Sequence, residues 1–159
     1  MKRYIRTAVV DMGNESTVTK EQIADNATRA DVLRELAADD SVYVRQRVAA
    51  NPNTPEDLLA QLACDTSDYV RSGVALNPNT PEHILTELSG DDNPFVRKGI
   101  AINRNTSADI LAKLANDPSG DIRWFVAGNL NTPVDSLQKL QHDVNGGVRE
   151  VATETLSFL

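Results

Sequence analysis

Arginine recurs at Arg45, Arg71, Arg97, Arg123 and Arg149, one every 26 residues. Guanidinium groups in such a row could grip successive phosphates through their forked N–H donors, which is the chemistry of a nucleic-acid surface. An aspartate stands six positions before each of them: Asp39, Asp65, Asp91, Asp117 and Asp143. Pairing of guanidinium with carboxylate, within a repeat or between repeats, uses the same donors and helps satisfy backbone carbonyls at the turns. Acid matched to base favours a structural ladder over a phosphate grip. Net charge argues the same way. Residues 1–25 carry four basic and four acidic side chains, so the whole of the −7 lies in residues 26–159. That field repels phosphate backbones and anionic lipid.

The residue types that carry catalysis are thinly spread. His83 and His142 occupy different columns of the repeat, and neither has a nucleophile at a recognisable spacing. Both are expected at the surface. The single cysteine, Cys64, excludes an intrachain disulfide and a cysteine-held metal cluster, and reads as a partly buried small residue ending a helix. No glycine-rich phosphate loop, histidine metal motif or nucleophile elbow is present. The expectation is a chain that is not an enzyme and carries no metal or other cofactor.

Aromatic residues are more informative. Tyr43, Tyr69 and Phe95 share a column just before the Val-Arg pair, and Tyr69 and Phe95 each have a glycine four positions on, at Gly73 and Gly99. Each ring either lies over that glycine and fills the space there, or serves binding. Trp124 falls in a column otherwise held by Gln46, Ser72, Lys98 and Glu150, a solvent-facing set. Leu76 and Ile102 sit one turn further along the same face. Trp and Tyr anchors with a polar rim are the mixture that interfaces favour. The partner-binding candidates are therefore Tyr69, Phe95, Lys98, Ile102 and Trp124, weighed against Trp124 packing onto an irregular fifth repeat.

These positions are set by a repeat that runs through most of the chain. Val-Arg occurs at Val44, Val70, Val96 and Val148, with Ile122-Arg123 in register, all 26 residues apart. Thr28, Thr54, Thr80, Thr106 and Thr132 follow the same step, as do Leu33, Leu59, Leu85, Leu111 and Leu137. Leu36, Leu62, Leu88, Leu114 and Leu140 make a further column. The spacing predicts two short helices per unit. Thr54 is placed as N-cap, Pro55 as the first helical residue and Glu56 and Asp57 at the positive end of the dipole. Leu58, Leu59 and Leu62 form the apolar stripe of this first helix, and Val70, Val74 and Ala75 that of the second. Asn77 before Pro78 is expected to end the second helix in a left-handed conformation. Helices this short fall below the roughly 12–15 residues needed for marginal stability in water. Stacking on neighbours must hold them, so the array should be an elongated all-α solenoid with one long core.

The columns D…VR..VA.NPNTP…L..L, clearest from Asp39 to Leu62 and Asp65 to Leu88, resemble the leucine-rich repeat variant family, with a wider similarity to HEAT-type repeats. The resemblance spans about residues 17–155. It implies a right-handed superhelix of about five two-helix repeats, of α- and 3₁₀-character, with no β-sheet. Some members of that family hold an iron–sulfur cluster with cysteines ahead of the repeats; those cysteines are missing here.

Residues 1–16, with Tyr4, Ile5, Val9 and Val10, are expected to cap a worn first unit at 17–38 within a single repeat domain reaching residue 159. Phe158 and Leu159 leave an end that could promote self-association. Neither a leader-like nor a membrane-spanning apolar run is present, so a cytoplasmic setting is expected. The favoured function is a non-enzymatic scaffold that binds a protein or peptide with a basic surface, with an inhibitor or immunity-type protein as one version. The alternatives are a nucleic-acid-binding HEAT-like solenoid and an enzyme using carboxylates in a groove.

Overall fold

The computed structural model describes residues 19–159, and the expected cap at 1–16 lies outside them. The described residues form eleven α-helices without a strand. Helix α1 (Lys20–Asn26) is followed by five pairs. These are α2 (Ala30–Leu36) with α3 (Val42–Ala50), α4 (Glu56–Ala63) with α5 (Asp68–Leu76), α6 (Glu82–Leu88) with α7 (Pro94–Ile102), α8 (Ala108–Leu114) with α9 (Gly120–Ala127), and α10 (Val134–Leu140) with α11 (Gly146–Leu156). All are α-helical, so the 3₁₀-character implied by the family resemblance is not found in them.

The apolar columns become one continuous core. Both leucine columns from Leu33 to Leu140 are buried, together with Val44, Val70, Val96, Ile122 and Val148. Burying each such side chain contributes roughly 2 kcal/mol. Every second helix packs on the second helices of the units before and after it, and α1 stands in that row against α3. The second helices lie closer together than the first helices do.

Glycine sets that close spacing. A Cβ on Gly99 would lie 2.8 Å from the Ala75 Cβ, and one on Gly73 would lie 2.9 Å from both the Ala49 Cβ and the Gln46 carbonyl oxygen. Contacts this short do not occur between real atoms, so only glycine allows α5 to sit on α3 and α7 on α5 at this distance. The space beside each glycine is thus taken by the preceding helix. Of the two readings of Tyr69 and Phe95, the one in which each ring fills that space does not hold; they remain 64% and 68% exposed.

Two polar columns work differently from their expected roles. Thr54 is not an N-cap. Its hydroxyl donates back across the turn to the Val48 carbonyl at 2.5 Å, and Thr80, Thr106 and Thr132 repeat the bond to Val74, Ile100 and Val126. The last carbonyls of a helix lack intrahelical partners, and the threonine supplies one from outside. Pro55 takes the N-cap position instead, with no side-chain cap bond.

Asn77 ends α5 with extended backbone (φ −67°, ψ 126°) rather than left-handed. Its side chain is what the position requires. The fully buried amide donates to the Ala49 and Asn51 carbonyls of the unit before, both at 2.7 Å, and its Oδ1 accepts from the Asn79 N–H at 2.9 Å. Asn103 and Asn129 do the same one and two units on, and Asn51 reaches Ala24 of α1 and Ala27 just past its end. Buried backbone acceptors must be paired, and this asparagine column pairs them across every junction from α1 to α9.

Candidate functional site

The arginine column is occupied structurally. Arg45, Arg71, Arg97 and Arg123 each reach into the next unit and bind both carboxylate oxygens of the aspartate 20 residues ahead, at 2.6–3.2 Å. The Nη1 of each donates to the carbonyl of the aspartate six positions back, so Asp91 meets Arg97 through its backbone and Arg71 through its side chain. Lys20 plays the same part for Asp39 at 2.5 Å. Each aspartate also accepts the N–H two residues on, where the second helix begins, as Asp65 does from Ser67 at 2.8 Å.

These bonds favour the ionised carboxylates. Arg45, with help from the Ser67 N–H, holds the Asp65 carboxyl below the usual carboxylate range against the opposing pull of burial. Arg123 does the same for Asp143. Burial is the largest influence on Asp91 and pushes it up, but Arg71 and the Asn93 N–H together outweigh it and bring it down. The four paired guanidiniums are therefore committed to their aspartates rather than free for phosphate.

The expected surface histidines His83 and His142 are exposed. Cys64 is exposed as well, and not partly buried; it caps the C-terminus of α4, where its side chain turns out of the stack.

The partner-binding candidates separate into two groups. Ile102 and Trp124, 40% and 43% exposed, come together on opposite walls of a cleft of about 570 Å³ between the C-terminal ends of α7 and α9. Lys98 joins them indirectly, with its Nζ 4.6 Å from the centre of the Phe125 ring. Phe95 and Tyr69 stand exposed at the starts of α7 and α5 and do not line the cleft.

Phe125 was missed by sequence reasoning; its column runs Arg47, Gly73, Gly99, Phe125 and Val151, so a ring follows two glycines. It occupies the position of Gly73 and Gly99, where those residues let neighbouring helices close up. A ring there cannot fit between α9 and α7 at the same spacing, so a gap opens in its place. Phe125 meets Trp124 edge to face at 4.9 Å between ring centres, a favourable geometry for an aromatic pair. Trp124 also lies beside Gly147 at the start of α11, where an added Cβ would stand 3.6 Å from its ring. Arg104 and Leu130 complete the walls, and both replace the proline of Pro52 and Pro78.

No family model matches the chain, and no curated protein does. Among solved structures it is similar to a leucine-rich repeat variant described as having a novel repetitive structural motif, with 27% identity and a TM-score of 0.67. The match covers 92% of this chain and 61% of that one, so the chain spans less than two thirds of that structure. The resemblance carried by the Val-Arg, Asn-Pro and leucine columns holds in three dimensions, and the chain has the leucine-rich repeat variant fold.

Proposed function

We propose that the chain is a non-enzymatic scaffold that binds a protein or peptide through the surface of its second helices. One observation carries the reading. The side chains that depart from the repeat gather in space: Trp124, Phe125, Arg104 and Leu130 surround a single cleft, together with Ile102. Residues that obey the period hold the stack together, so departures that cluster have a different task. A concave site with exposed aromatic anchors on a rigid frame suits recognition. The net charge of −7 would steer a basic partner toward the repeats. An inhibitor or immunity-type protein is one form this scaffold could take. A cytoplasmic setting belongs to the same reading, and no helix among the described residues is long and apolar enough to cross a membrane.

The test is partner capture from a lysate of the native cell with the wild type and Trp124→Ala side by side. A protein held by the wild type and released by a still-folded variant supports the scaffold and its surface. Equal retention by both would remove Trp124 from the site. Retention by neither would count against a binding scaffold of useful affinity.

A further inference from the structure

One cation without a carboxylate, Arg104, lines the cleft, and a second, Lys98, stands behind it on the Phe125 ring. The Arg104 side chain makes no hydrogen bond or ion pair with any described residue, whereas Arg34, Arg45, Arg47, Arg71, Arg97 and Arg123 all pair with aspartates. Lys98 rests on the Phe125 ring and likewise has no acidic partner among the described residues. In a chain of net charge −7, these two cations stand beside two aromatic rings without an acidic partner. They also stand at positions where other units have Pro52 or Pro78, and Gln46 or Ser72.

Resting on the scaffold reading, we infer that this cleft takes the carboxyl-terminal end of a partner's peptide chain. The last side chain is apolar and lies against Trp124, Phe125, Ile102 and Leu130. The terminal carboxylate meets Arg104, with Lys98 adding positive potential. The size of the cleft favours a chain end over a continuing strand. On one side the glycine-spaced helices α5 and α7 are closed together, and on the other Trp124 lies beside Gly147, so the opening is one unit wide. A chain end offers an apolar side chain and a carboxylate from one residue, which such a short cleft can satisfy. A charge-assisted bidentate bond from a guanidinium fixes a carboxylate in orientation as well as position.

The chain has one tryptophan, so its emission reports this cleft alone. The probes are an acetylated pentapeptide of glycine and serine ending in leucine with a free carboxylate, its amidated twin, and an amidated peptide with an internal Leu-Asp pair. The free carboxylate peptide should change Trp124 emission saturably and bind about tenfold more tightly than its amide, the size of one exposed charge-assisted contact. Arg104→Gln should abolish that preference while leaving the circular dichroism spectrum unchanged, because the side chain makes no hydrogen bond or ion pair with a described residue. Leu130→Ala should weaken both leucine-ended peptides equally. Equal binding of acid and amide, tighter binding of the internal Leu-Asp peptide, or no saturable change with any of them overturns the inference. Capture of a protein that depends on Trp124, without a preference for the free carboxylate, would refute the chain-end assignment and leave the scaffold standing.

Discussion

Arg97 and Asp117 belong to different repeats and are held together by two parallel bonds, Nε to Oδ2 at 2.7 Å and Nη2 to Oδ1 at 3.2 Å. The same guanidinium donates to the Asp91 carbonyl at 2.7 Å, so one side chain joins the turn of its own unit to the turn of the next. Asp117 is only 4% exposed at its side chain, and its charge has no alternative partner of comparable geometry.

Arg97→Ala should therefore destabilise the array by about 2–4 kcal/mol, because it leaves a nearly buried carboxylate and two turn carbonyls without their donor. Arg97→Lys should recover less than half of that loss, since an ammonium cannot make the forked pair. Urea denaturation of the three proteins checks it. An unchanged midpoint for Arg97→Ala would mean that the ladder is ornamental.

Stability should fall in acid through the same pairs. The carboxyls of Asp65, Asp91 and Asp143 are depressed in the folded chain, so the unfolded chain takes up protons at higher pH than the folded one. Their contribution is fully present above the unfolded value of about 3.9 and is lost as pH drops through the lower folded values. Urea midpoints measured from neutral pH downward should hold level and then decline below about pH 4. Asp65→Asn and Asp143→Asn together should flatten the decline and lower the plateau.

Asn77 provides a test with the opposite sign. Asn77→Asp replaces a buried donor with a carboxylate aimed at the Ala49 and Asn51 carbonyls. At neutral pH it should cost about 3–5 kcal/mol, and more than Asn77→Ala. Burial and the facing carbonyls raise the folded carboxyl above its unfolded value, so the deficit relative to wild type should shrink on acidification. A deficit independent of pH would contradict the donor role.

Most of the fold was legible because the apolar columns have only one way to be buried. Leu58, Leu59, Leu62, Val70, Val74 and Ala75 all lie where the period puts them. The polar columns were visible but their direction was not. A threonine before a proline has the sequence of an N-cap, yet Thr54 donates backward to Val48, and no local pattern distinguishes the two. Likewise the Asn51, Asn77, Asn103 and Asn129 column marks a junction without saying that its amides cross to the unit before. Of the residues lining the cleft, Ile102 and Trp124 had been singled out from their columns, whereas Phe125 and Arg104 had not. Their signal was a change from the two preceding units: a ring after Gly73 and Gly99, and a cation after Pro52 and Pro78.

Gly99→Ala separates close approach from helix propensity. Alanine favours a helix over glycine by about 1 kcal/mol. Here its Cβ would stand 2.8 Å from the Ala75 Cβ and force α7 off α5, which costs about 1–3 kcal/mol. A net loss of stability is expected. Gly128→Ala, whose nearest contact would be the Val151 Cγ1 at 3.5 Å, should be neutral or slightly stabilising in the same thermal melts.

The central claim is that residues keeping the period build the stack and those departing from it build the site. The most direct test returns three departures to the residues of the neighbouring unit in one chain: Arg104→Pro, Trp124→Ser and Phe125→Gly. The backbone accepts this, since Asn103 before Arg104 has nearly the same extended geometry as Asn77 before Pro78. The measurement is unfolding free energy and partner capture on the same preparation. The account predicts a chain that keeps wild-type helix content, loses about 2–4 kcal/mol through the packing and helix propensity of Phe125, and retains no partner. A chain that unfolds, or one that still holds the wild-type partner, would contradict it.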